Sequence, residues 1–161
     1  MKTFWTALAL LAAVVLQAGL IQLVPGQARV FDPFLLLVVY CALRGGETHG
    51  MLTGAAAGWM QDVLFGGPVL GLSALSKIVA GFAVGVAGAR FLLVGPGART
   101  LVLLAATLGD AFLFQWLATV FDIRTLELSP LGLLWRATVN ASLGVVLFEL
   151  VDRRVRRETL A

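Results

Sequence analysis

Six side chains with donor or acceptor groups, Gln61, Asp62, Lys77, Asp110, Arg136 and Asn140, interrupt stretches that are otherwise almost wholly apolar. Two carboxylates, two cations and two amides in a low-dielectric setting can hold a solute or relay a proton. Alternatively, they can neutralise one another and fix the relative positions of the segments that carry them. Equal numbers of acids and bases leave no net charge to hold an ion, which favours the second use. Other chemistry is thin. Ser73 in "GLSAL" lacks the second glycine of a nucleophile elbow, and neither an H-E-x-x-H pair nor a phosphate-cradling glycine loop appears. One cysteine, Cys41, and one histidine, His49, cannot make a Cys/His zinc site or an internal disulfide. The expectation is a protein without catalytic, metal or cofactor-binding residues.

The surroundings of these residues set the solvent. The 161-residue chain is 60% hydrophobic and 13% charged, with a mean hydropathy of +0.95, which is far from soluble usage. It reads as one integral membrane domain over 1–161 with a basic cytoplasmic tail over 152–161. The net charge of +3 does not point to nucleic acid, because four of the twelve basic residues, Arg153, Arg154, Arg156 and Arg157, crowd the tail, where they suit anionic lipid headgroups.

A bilayer core of about 30 Å asks for roughly 20 residues per helical span. The polar and Gly/Pro-rich breaks divide the chain into six apolar runs: Phe4 to Val24, Phe31 to Leu43, Met51 to Phe65, Gly71 to Val94, Thr100 to Phe121 and Leu131 to Val151. The reading is an all-α, six-span bundle in which the second and third runs are short and must recruit flanking residues. "RGGETHG" is expected to be the loop between them. Asp32 before Pro33 reads as a helix N-cap with proline at the first position. The first run is too long for a signal-peptide core and is taken as a span.

With an even number of spans, both termini share a side. That side would hold Lys2, Arg44, Arg90, Arg99 and the four tail arginines, against only Arg29 and Arg124 opposite. The asymmetry places both termini in the cytoplasm, with Asp32, Asp122 and Glu127 outside. Asp62 and Lys77 then flank an outer turn at "GGP", about 9 and 13 Å from it by helical rise. Arg136 and Asp110 reach similar depths, so Asp62 is expected to pair with Lys77 or Arg136, with Gln61 and Asn140 as neighbouring amides.

Small residues make a second pattern. Gly50, Gly54 and Gly58 recur every fourth position, as do Gly81 and Gly85, and Ala9 and Ala13 form a weaker pair. Such rows let helix backbones approach closely in a solvent that offers little hydrophobic drive for association. The third run carries Gly58 and Asp62 on one face, so its glycine row is expected to pack internally. That leaves Ala9 and Ala13 as the expected docking face for a partner helix.

The run "FDPFLLLVVYCALRGGETHGMLTGAAAGWMQDVLFGGPVLGLSALSKIVAGFAVG" resembles the MreD family of bacterial rod-shape-determining membrane proteins. The resemblance lies in an Asp-Pro-led helix ending in Arg-Gly, a glycine-spaced helix ending in Gln-Asp, and a Gly-Pro-x-x-Gly-Leu turn. The family pattern falls on Asp32, Pro33, Gly54, Gly58, Gln61, Asp62, Gly67, Pro68, Gly71 and Leu72. It implies a noncatalytic scaffold subunit of the cell-elongation machinery in the cytoplasmic (inner) membrane. Its partner would be an MreC-like single-pass protein, and through it a penicillin-binding transpeptidase, a RodA-type glycosyltransferase and MreB. It also implies a fold like the S-components of energy-coupling-factor transporters, so a vitamin-binding subunit is the alternative reading.

Overall fold

The computed structural model describes residues 2–24, 30–66, 69–91, 95–123 and 129–159, excluding the side chains of Lys2, Thr3 and residues 155–159. Among the described residues five helices appear in chain order: α1 (Lys2–Leu23), α2 (Pro33–Phe65), α3 (Leu72–Arg90), α4 (Pro96–Val120) and α5 (Pro130–Thr159). Four stretches of the described residues, Phe4–Leu23, Leu72–Arg90, Pro96–Val120 and Pro130–Arg154, are helices long and apolar enough to cross a membrane. The all-helical reading therefore holds, and the count of six full spans does not.

The difference lies in α2. A straight helix of 33 residues would separate Phe34 from Phe65 by about 46 Å, yet their rings meet edge to face with centroids 5.9 Å apart. The chain reverses at Gly46, whose φ of 78° and ψ of −172° are the only non-helical values inside α2. A side chain would be strained there, so a glycine lets one residue do the work of a loop. "RGGETHG", expected to be a loop, is instead helical on both sides of that glycine. The second and third runs are thus two antiparallel arms, 33–45 and 47–65, of one helical hairpin.

The hairpin starts and stops on local signals. Asp32 Oδ1 accepts the Leu35 N–H at 3.0 Å, and Pro33 follows at the first helical position. Gly66 ends the second arm in the left-handed region, with its N–H bonded to the Asp62 carbonyl. The first arm is the centre of the molecule, with Phe34, Leu35, Val38 and Val39 fully buried. Leu103 of α4, Ala141 and Phe148 of α5, and Ala80 and Val84 of α3 pack in the same cluster as Leu35 and Val39.

Arm 47–65 seats against α3 through glycine. A Cβ on Gly50 would come within 2.5 Å of the Gly81 carbonyl oxygen. On Gly54 it would meet the Lys77 carbonyl oxygen at 2.3 Å, and on Gly58 the Ala74 Cα at 2.3 Å. Gly85 approaches Glu47 as closely, its Cβ position 2.4 Å from the Glu47 Cα. These contacts advance three or four residues at a time in opposite directions, so the two helices run antiparallel in one continuous seam. The glycine row is spent inside the bundle.

Candidate functional site: a buried charge cluster

The close seam delivers Lys77 to the middle of the bundle. Its Nζ donates to Asp32 Oδ2 at 3.0 Å and to Asp110 Oδ2 at 3.4 Å. Arg136, from α5, donates from Nη2 to Asp32 Oδ2 at 3.2 Å and lies 3.8 Å from Asp110 Oδ2. Ser76 Oγ donates to Asp110 Oδ1 at 2.8 Å, and Asn140 Oδ1 accepts the Asp32 backbone N–H at 3.0 Å. Lys77, Asp32 and Asp110 are each 3% exposed at the side chain, and Arg136 is 17% exposed. Two carboxylates and two cations from four segments therefore cancel one another away from solvent.

Lys77, Asp110, Arg136 and Asn140 come together here, but Asp62 does not join them. Its Oδ2 accepts the backbone N–H groups of Gly71 at 2.8 Å and Ser73 at 3.1 Å. It caps α3 from across the turn, supplying the acceptor that Gly71 at the N-cap cannot. The expected Asp62 pairing with Lys77 or Arg136 is corrected accordingly. Gln61 is half-buried beside it, and its Oε1 accepts no hydrogen bond among the described residues.

Asp32 occupies the place expected of Asp62. The sequence marks it only as a helix cap, and it does both jobs: Oδ1 holds the α2 N-terminus while Oδ2 takes the two cations. The sequence carries no separate signal for the second job, because the capping motif Asp32-Pro33 accounts for the aspartate locally.

A second carboxylate node closes the other end of the bundle. Asp152 Oδ1 accepts from Arg44 Nη2 and, at 3.2 Å, from the Tyr40 hydroxyl, while Oδ2 accepts from Arg99 Nη2 at 2.7 Å. It ties the hairpin tip to the start of α4 and the end of α5. The two nodes are about 18 Å apart, counted from Asp32 to Arg44 along the first arm or from Asn140 to Asp152 along α5.

The first helix also departs from expectation. Ala13 is buried in a cluster with Leu10, Phe34, Val38 and Ala57, so the Ala9/Ala13 side of α1 turns toward α2. The outward side carries Leu8, Leu11, Val15 and Leu16. Arg153 and Arg154 are exposed at the end of α5. The side chains of Arg156 and Arg157 lie outside the described residues, as do Arg29, Gly67, Pro68, Arg124 and Glu127. No group of three His, Cys, Asp or Glu side chains among the described residues could hold a metal ion.

Comparison with curated proteins and with solved structures gave no match. The model of one family, described as rod shape-determining protein MreD, matches residues 1–153. That match takes in α1 to α4, α5 as far as Arg153, both carboxylate nodes and the hairpin, and the chain belongs to the MreD family of rod shape-determining proteins, as a multi-pass membrane protein.

Proposed function

We propose that this protein is a noncatalytic scaffold subunit of the rod complex, which binds an MreC-like single-pass membrane protein and so helps regulate peptidoglycan synthesis and cell shape. The observation that carries this reading is the self-neutralised cluster of Asp32, Lys77, Asp110 and Arg136. Its charges are spent on one another and on holding α2, α3, α4 and α5 in register. A scaffold needs that rigidity, whereas a solute site needs charge left over. Nothing found favours the vitamin-binding alternative. The S-component-like arrangement is part of the same proposal, and its support is the six helical segments obtained by counting the two arms of α2.

Both termini belong on the cytoplasmic side of the inner membrane in this reading. Arg44, Arg90, Arg99 and Arg153 gather at the end of the bundle where Asp152 sits, which fits the charge asymmetry of the loops. The partner helix docks on the outward side of α1, the least covered of the four candidate spans. The transpeptidase, the RodA-type enzyme and MreB are reached through that partner.

Photo-crosslinking residues placed at Leu11 and Val15, followed by purification in mild detergent, test the assignment. A single-pass partner captured from these positions, and not from Trp116 on α4, is the expected result. A vitamin-sized molecule bound without any such partner would overturn the scaffold reading.

A further inference from the structure

The node around Asp152 holds more positive charge than its carboxylate neutralises. Arg44 sits on Oδ1 and Arg99 on Oδ2, so two guanidiniums share one negative charge. The other acids at this end do not cancel the surplus. Glu149 is engaged with Arg153 at 3.6 Å, and the exposed Glu47 makes no ion pair among the described residues. Each guanidinium carries five N–H donors and uses an Nη2 on Asp152, so donors remain on both.

The two arginines are also held side by side. Arg44 lies over the Tyr40 ring, 5.4 Å from its centroid, and the Tyr40 hydroxyl donates to the same Asp152 oxygen at 3.2 Å. Arg99 reaches the other oxygen from the first turn of α4. The side chains are nevertheless 47% and 22% exposed. A fixed and accessible pair of guanidiniums suits phosphate, because the fold has already ordered the long side chains and their planar forks match phosphate oxygens.

The surroundings select what carries the phosphate. Phe91 follows the end of α3, Leu101 lies two residues after Arg99, and Leu150 and Val151 precede Asp152, all four exposed. Free phosphate makes no use of apolar surface, whereas acyl chains do. A phosphodiester brings one negative charge, which equals the surplus. In a zwitterionic headgroup the lipid's own cation cancels that charge.

We propose that Arg44 and Arg99, clamped on Asp152, bind the phosphodiester of one anionic phospholipid between the hairpin tip and the start of α4. The site differs from the basic tail, whose exposed arginines attract anionic headgroups diffusely. It depends on membrane insertion and not on the scaffold role, and it holds for whichever leaflet meets this end of the bundle.

Full-length protein in mild detergent, titrated with dioleoyl phosphatidylglycerol and followed by native mass spectrometry and by melting midpoint, tests the site. One phosphatidylglycerol should stay on each chain and raise the midpoint, whereas dioleoyl phosphatidylcholine or inorganic phosphate at the same concentration should do neither. Arg44→Gln and Arg99→Gln should each weaken retention about fivefold or more, and Arg153→Gln combined with Arg154→Gln by less than about twofold. The wild-type comparison of the two lipids decides the matter if Arg44→Gln does not fold. Equal retention of the two lipids overturns the proposal. So does a tail variant that loses as much phosphatidylglycerol as Arg44→Gln or Arg99→Gln, and so does inorganic phosphate that raises the midpoint as far as the lipid.

Discussion

The two carboxylate nodes use the same chemistry in opposite settings. Asp32 and Asp110 meet Lys77 and Arg136 in the bundle interior, where the acids and lysine are 3% exposed. Asp152 meets Arg44 and Arg99 near a membrane face, where those arginines are 47% and 22% exposed. The interior node is electrically balanced, while the face node carries one surplus positive charge. Losing a partner inside leaves a charge that neither water nor lipid headgroups can reach. At the face, an arginine that loses its carboxylate can snorkel to phosphate and water. The comparison teaches that the interior node sets register, and the face node fastens ends that would otherwise fray.

The largest break should come from a single deletion inside. Lys77→Met leaves Asp32 and Asp110 sharing Arg136 alone, and is expected to cost about 3–5 kcal/mol, read as a large drop in detergent melting temperature or as loss of folded protein. Gly54→Leu disturbs the same node without touching charge. Its side chain would enter the space of the Lys77 carbonyl, and since backbone cannot yield as a flexible side chain does, about 3 kcal/mol is expected. If Gly54→Leu were harmless, the seam would not be what places Lys77.

The Gly54 result also bears on what the sequence made legible. Glycines at four-residue spacing announce a close helix pair, and the row packs against α3 as its spacing requires. Depth counted from a turn gives a residue's height along a helix but not its direction around the axis. That is why Lys77, Asp110 and Arg136 meet in the interior while Asp62, at a comparable height, faces the α3 N-terminus. Asp32 was hidden because a capping motif explains an aspartate fully at the local level. Only the three-dimensional arrangement shows that a cap can lie in a protein interior. The reversal at Gly46 was unreadable for a related reason: one glycine replaces the loop that two separate spans would need.

The face node should respond weakly. Asp152→Asn keeps an acceptor for Arg44 or Arg99 and removes the charge, for an expected loss of about 1 kcal/mol that shrinks further at high salt. A loss equal to that of Lys77→Met would erase the distinction between the nodes. The smallest effect belongs to the exposed Glu149 and Arg153 pair at 3.6 Å, where Glu149→Ala should cost about 0.3–0.5 kcal/mol, close to the limit of a melting measurement.

The most direct test of the register lock is a double-mutant cycle between Lys77→Met and Asp110→Leu, melted in one detergent and scored for retention of the proposed single-pass partner. Each single variant should lose stability and partner together. The double variant, which restores neutrality by leaving Asp32 with Arg136, should recover most of both, a coupling of at least about 2 kcal/mol. Additive losses, with the double variant worse than either single one, would contradict a structural lock and mean that the charges serve something other than one another.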